Sequence, residues 1–163
     1  MLHFVQGDLL HTGAAAIAHG VAPHDHFDSG LALSLRERWP AMVKDFRHFC
    51  HNDNPEPGNA WIWSGAGGTR IINLLTQEPA PSPGAHAGRA TTAHVNHALG
   101  ALRKLIDKEK LSSVALPRLA TGVGGMAWTE VKPALEKHLG DLAIPVFVYE
   151  TFHAGHKAVE PGL

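Results

Sequence analysis

Apolar positions along this chain fall into two periods. Short apolar runs at Leu2–Gln6, Ala14–Val21, Asn59–Ser64, Arg70–Leu75, Ser113–Leu116 and Pro145–Tyr149 read as strands. Between them lie stretches with helical spacing: Gly30–Trp39, Ala41–His51, Arg89–Lys110 and Thr129–Leu139. The third carries Val95, Leu99, Leu102, Leu105 and Ile106 on one stripe. Pro40 stops the first helix and suits the start of the second, and Asp28 or Ser29 is placed to cap the first. Strands separated by helices predict a layered α/β domain with helices on both faces of the sheet.

In such a sheet ligands sit beyond the carboxyl ends of the strands. Three loops fall there: Gly20–Gly30, Thr76–Gly88 and Thr121–Met126. The third holds Gly122, Gly124 and Gly125 and opens into a helix. Glycines permit close backbone approach and positive φ, and a helix N-terminus adds partial positive charge, so this is the layout of an anion cradle. A tight strand-to-helix connection would look the same. The loop lacks the Gly-Lys-Ser/Thr ending of a P-loop and does not match the dinucleotide fingerprint, so any phosphate would be held by backbone. Because the first loop also leads into a helix, two helix N-termini point to a diphosphate. The loop at 76–88 is too rich in Pro and Gly to be regular and is a candidate lid.

Composition narrows the partners. The 163 residues carry a net charge of −1, too little basic field to hold nucleic acid in bulk. Residues 1–150 are expected to form one domain, with 151–163 a loosely held tail. The lone Cys50 suits a reducing cytosol, no run approaches the ~20 apolar residues of a membrane span, and a cytoplasmic monomer is expected. Thirteen histidines are scattered along the chain, and only His19–His26 is dense enough to suggest chemistry.

From Leu2 to Tyr149 the sequence resembles a macrodomain, the ADP-ribose-binding fold. The resemblance is carried by Phe4-Val5-Gln6-Gly7-Asp8-Leu9-Leu10, Ala16-Ile17-Ala18-His19-Gly20-Val21, Ser29-Gly30-Leu31-Ala32, Arg70-Ile71-Ile72-Asn73-Leu74-Leu75-Thr76, the run from Leu116 to Trp128, and Val146-Phe147-Val148-Tyr149-Glu150. It looks most like the branch that removes ADP-ribose from acidic protein side chains or from DNA. The resemblance implies a three-layer α/β/α sandwich around a mixed, mostly parallel sheet of about six strands. It also implies ADP-ribose, on modified protein or on DNA, as the partner, with no cofactor and no metal. Asp8 would accept the adenine amino group and Leu9 would offer its N–H. His19, Gly20, Ser29, Gly30 and Leu31 would line one side of the diphosphate and distal ribose. Thr121, Gly122, Val123, Gly124, Gly125 and Met126 would line the other, and Tyr149 or Phe152 would cover the adenine face.

The sequence departs from these relatives where they do chemistry. They carry a lysine just after the fourth strand; here Gln77 holds that place, and no lysine lies between Lys44 and Lys104. An asparagine that many have near Ala22 is absent, and Gly124 falls where one relative has an acid. In exchange the first loop holds His24, Asp25, His26 and Asp28. Cleaving a glycosidic bond needs a carboxylate to position water. Asp28 is the first candidate, followed by Asp25 and His26, with Glu78 more remote; a solvated loop capped by Asp28 is the alternative. His24, His26 and Asp28 also have residue types that suit zinc. A module that reads ADP-ribose without turnover is the other rival.

Overall fold

The computed structural model describes residues 1–163. Strands β1 (Leu2–Gly7), β2 (Ala16–Val21), β3 (Ala60–Ser64), β4 (Arg70–Leu75), β5 (Val114–Pro117) and β6 (Val146–Phe152) form one sheet ordered β1-β6-β5-β2-β4-β3. All neighbours are parallel except β3, which pairs with β4 antiparallel. The helices are α1 (Gly30–Arg38), α2 (Pro40–Asp53), α3 (Thr92–Lys108) and α4 (Trp128–Leu139).

Strand alternation sorts the core into layers. Ala16, Ala18, Ile72, Leu74, Val114, Leu116, Val146 and Val148 face α3 and α4. On the other face Val21, Ile71 and Leu75 meet Leu35 of α1 and Met42, Val43 and Phe46 of α2. Ile17, Ala115, Phe147 and Tyr149 pack on that same side with Val5, Leu9 and Ala158. This is the α/β/α sandwich with a mixed, mostly parallel sheet that the sequence predicts. α3 begins at Thr92 rather than Arg89 because Thr91 is its N-cap, accepting the His94 N–H at 3.1 Å. No helix is long and apolar enough to cross a membrane.

The C-terminal segment departs from expectation. Instead of hanging loosely, residues 153–160 dock along the end of β1. His153 N–H donates to the Gly7 carbonyl at 3.1 Å and Asp8 N–H to the His156 carbonyl at 2.7 Å. Ala158 is buried, and Glu160 accepts from the Tyr149 hydroxyl at 2.8 Å, from Gly13 N–H at 2.7 Å and from the Thr12 hydroxyl. One small apolar residue and one carboxylate give no hydrophobic period for a sequence reading to find.

Candidate functional site

Because β2 and β5 are parallel neighbours, the loops that leave their carboxyl ends stand side by side. They enclose a cavity of about 450 Å³, and the 76–88 loop contributes Gln77, Ala80, His86 and Ala87 to its wall. Of the expected site residues, His19, Gly20, Asp25, His26, Asp28, Ser29, Gly30, Leu31, Gly122, Val123 and Gly124 line this one space.

The first loop is shaped by its own side chains. Phe27 takes up positive φ, buries its ring fully and meets His19 and Phe46 edge-on. Asp25 spends both carboxylate oxygens inside the loop, accepting from Ala22 N–H at 3.1 Å and Phe27 N–H at 2.9 Å. It therefore fixes the loop, whereas Asp28 is exposed to the cavity with no hydrogen-bond or ion-pair partner. His24 lies 3.4 Å from Asn54 Oδ1, and no three His, Cys, Asp or Glu side chains in the molecule converge to hold a metal ion. The His24, His26 and Asp28 run is thus not a preformed metal centre.

Capping by side chain fails at both helices that follow the first and third loops. Ser29 occupies the N-cap of α1 with extended backbone, yet neither its hydroxyl nor Asp28 bonds the first turn. Ala127 precedes α4 and has no side chain to cap with. In the third loop Gly125 N–H bonds the Gly122 carbonyl and Met126 N–H bonds the Ala120 carbonyl, each at 3.0 Å. The amides of Thr121, Gly122, Val123 and Gly124 find no acceptor in the protein. Free consecutive N–H groups beside uncapped helix starts make an anion site. The turn is kept tight because a Cβ on Gly124 would stand 2.7 Å from the Ala120 carbonyl oxygen.

Thr121, Gly125 and Met126 fall outside the cavity wall. The Thr121 hydroxyl turns away to the Arg118 carbonyl at 2.8 Å, Met126 packs on the core, and Gly125, at φ 72°, makes the turn. Arg118, which lies in the Leu116–Trp128 run but takes no role from it, and His86, which no motif singled out, do line the wall. Only the register of the long loop and the end of β5 reveal them.

On the floor, His19 and Asn73 are cross-strand partners on β2 and β4. Their side chains meet at 2.7 Å, His19 Nε2 to Asn73 Oδ1, and both are buried. Burial pushes the imidazole pKa down to about 4, against smaller upward pulls from Asn73 and Asp25. A neutral ring donating through Nε2 leaves Nδ1 as an acceptor. Gln77 is likewise buried, and its side-chain amide donates to the Gly88 carbonyl at 3.1 Å, closing the neck of the 76–88 loop.

The remaining expected residues sit farther along the same carboxyl edge, beyond β6. Asp8 accepts from Leu10 N–H at 3.0 Å and from Gly155 N–H at 2.9 Å, while the Leu9 amide has no acceptor. Tyr149 is 5% exposed, inside the core with its hydroxyl on Glu160, and cannot cover a ligand face. Burial pushes its hydroxyl well above the usual phenol range. Phe152, 69% exposed, is the ring available there.

The layered α/β architecture around a mixed, mostly parallel six-stranded sheet is shared with solved macrodomains. No family model matches the chain. A DNA ADP-ribosyl glycohydrolase of Thermus aquaticus is 27% identical over 92% of this chain and 41% of its own length. The chain thus spans less than half of the curated relatives it matches. The macrodomain of Thermus aquaticus DarG superposes with a TM-score of 0.79 at 26% identity, covering 92% of this chain and 98% of that one. Thermosipho africanus DarTG, solved in complex with ADP-ribose, gives a TM-score of 0.80 at 19% identity over 96% of this chain and 42% of that one.

Proposed function

We propose that this chain binds ADP-ribose and hydrolyses it from modified macromolecules, with ester-linked ADP-ribose on acidic protein side chains as the first substrate. The observation that carries the reading is the run of acceptorless amides at 122–124 on the same cavity wall as the uncapped start of α1. That arrangement suits a diphosphate held by main chain, and the names of the similar proteins agree with it. The purine would extend toward Asp8, the Leu9 amide and Phe152.

The wall chemistry favours water as the nucleophile. Gln77 stands where the relatives place a lysine, and no lysine lines the cavity. Asp28, the carboxylate without a protein partner, would take a proton from a water attacking the anomeric carbon as the bond to the leaving oxygen breaks. Attack and departure share the oxocarbenium character of glycoside hydrolysis. A carboxylate leaving group has a pKa of roughly 4 and departs without help from an acid. A ring nitrogen of a nucleobase is far more basic and would need one. This difference, together with the net charge of −1, supports a protein ester ahead of a DNA adduct. His26 is the wall imidazole nearest in sequence to Asp28 and is the candidate to assist it.

Calorimetry with ADP-ribose tests binding, and release of ADP-ribose from glutamate-, serine- and thymidine-linked substrates tests turnover. Asp28→Ala is expected to keep binding within about threefold and to lower turnover by ~100-fold or more. Equal turnover by variant and wild type removes Asp28 from the reaction. The second reading is a module that binds without turnover. It is favoured by Gln77, whose amide is committed to Gly88. Binding with no release from any linkage would establish it.

A further inference from the structure

Arg118 is the one fixed cation on the cavity wall. Its backbone carbonyl accepts the Thr121 hydroxyl, but its guanidinium has no hydrogen-bond or ion-pair partner in the protein. The group is nevertheless positioned, because its Cζ lies 5.3 Å over the ring of Trp128, the first residue of α4. That ring is fixed in turn: its indole N–H donates to Glu150 Oε2 at 2.8 Å, and the same oxygen accepts Lys132 Nζ at 3.2 Å. The Glu150 carboxylate that holds the indole also feels the Arg118 charge, yet no ion pair closes between them, so the guanidinium stays open to an anion at the wall. Five unspent donors, a rigid aromatic seat and a wall position are what a phosphate contact requires.

We propose that Arg118, seated on Trp128, is a specificity-determining residue that closes its fork on the phosphate oxygens of the bound ligand, adding charge recognition to the backbone cradle. The proposal rests on the ADP-ribose reading and deepens it. Backbone amides alone select for shape and acceptors; a guanidinium selects for charge. The residue therefore separates ligands that carry the diphosphate from nucleosides that do not.

The test is calorimetry of the whole chain with ADP-ribose, ADP and adenosine, using wild type, Arg118→Met and Arg118→Lys, with melting temperatures as a check on folding. Arg118 is exposed, so the variants should fold. Arg118→Met is expected to weaken ADP-ribose and ADP by roughly 10- to 100-fold and leave adenosine unchanged. Arg118→Lys, which keeps the charge but loses the planar fork, is expected to recover only part of that loss. Unchanged ADP-ribose affinity in Arg118→Met, an equal loss for adenosine, or full recovery with lysine overturns the proposal. Failure of the wild-type chain to bind ADP-ribose overturns the functional reading instead.

Discussion

Two ends of one sheet edge treat their polar groups in opposite ways. Where β1 and β6 finish, nearly everything polar is paired within the chain: Asp8 with the Leu10 and Gly155 amides, Glu160 with Tyr149, Thr12 and Gly13. Where β2 and β5 finish, four loop amides, the first turn of α1, the Asp28 carboxylate and the Arg118 guanidinium have no partner. A folded chain tends to pair the polar groups it buries. Groups left unpaired around a concave wall mark where a ligand completes the bonding, and groups that are paired hold the fold. Perturbing the first end should cost stability, and perturbing the second should cost affinity.

The sharpest break in that contrast is Gly124→Ala. The new methyl group would meet the Ala120 carbonyl at 2.7 Å, so the turn must open and its amides lose their common aim. Affinity for ADP-ribose is expected to fall by about 100-fold, near 2.7 kcal/mol, in a calorimetric titration. A variant that binds like wild type would mean the third loop is only a connection.

Much of this was legible beforehand, for a physical reason. Strand and helix periods are local, so the six strands and four helices follow from spacing, and the three loops at the strands' carboxyl ends follow from that order. Long-range pairing is not local. Asp25 looks like Asp28 in sequence, yet the fold gives Asp25 to the loop's own amides and leaves Asp28 free. Tyr149 reads as a ligand-facing ring until Glu160 is found behind it, and nothing in the sequence gives Arg118 a role until Trp128 is found beneath its guanidinium. Each of these depends on a partner distant in sequence that carries no periodic signal.

His19 combines the two behaviours, since it lines the cavity yet is buried with its side chain paired to Asn73. Its folded pKa of about 4 lies below the ordinary 6.5, so between these values the unfolded chain binds the extra proton. The resulting stability is fully present above pH 6.5 and is lost as pH falls toward 4. Urea unfolding is expected to show a loss of about 2 kcal/mol between pH 7 and pH 5 from this group. His19→Gln, which cannot titrate but can still donate to Asn73, should flatten that part of the profile. An unchanged slope in the variant would show that the imidazole is charged inside the fold, and the wall would then hold a buried cation.

The smallest expected effect tests the paired end. Glu160→Ala strips an acceptor from Tyr149, Thr12 and Gly13 at once and releases the anchor of the docked tail. Water reaches this half-buried site, so the cost is the modest one of exchanged hydrogen bonds, about 1–2 kcal/mol in urea unfolding. Affinity for ADP-ribose should change by less than about threefold, because no cavity amide and no wall charge is touched. A large loss of affinity with little loss of stability would reverse the contrast. The tail would then act chiefly in binding, through the Gly155 amide that steadies Asp8 at the purine end of the groove, and its anchor would not be a device of the fold.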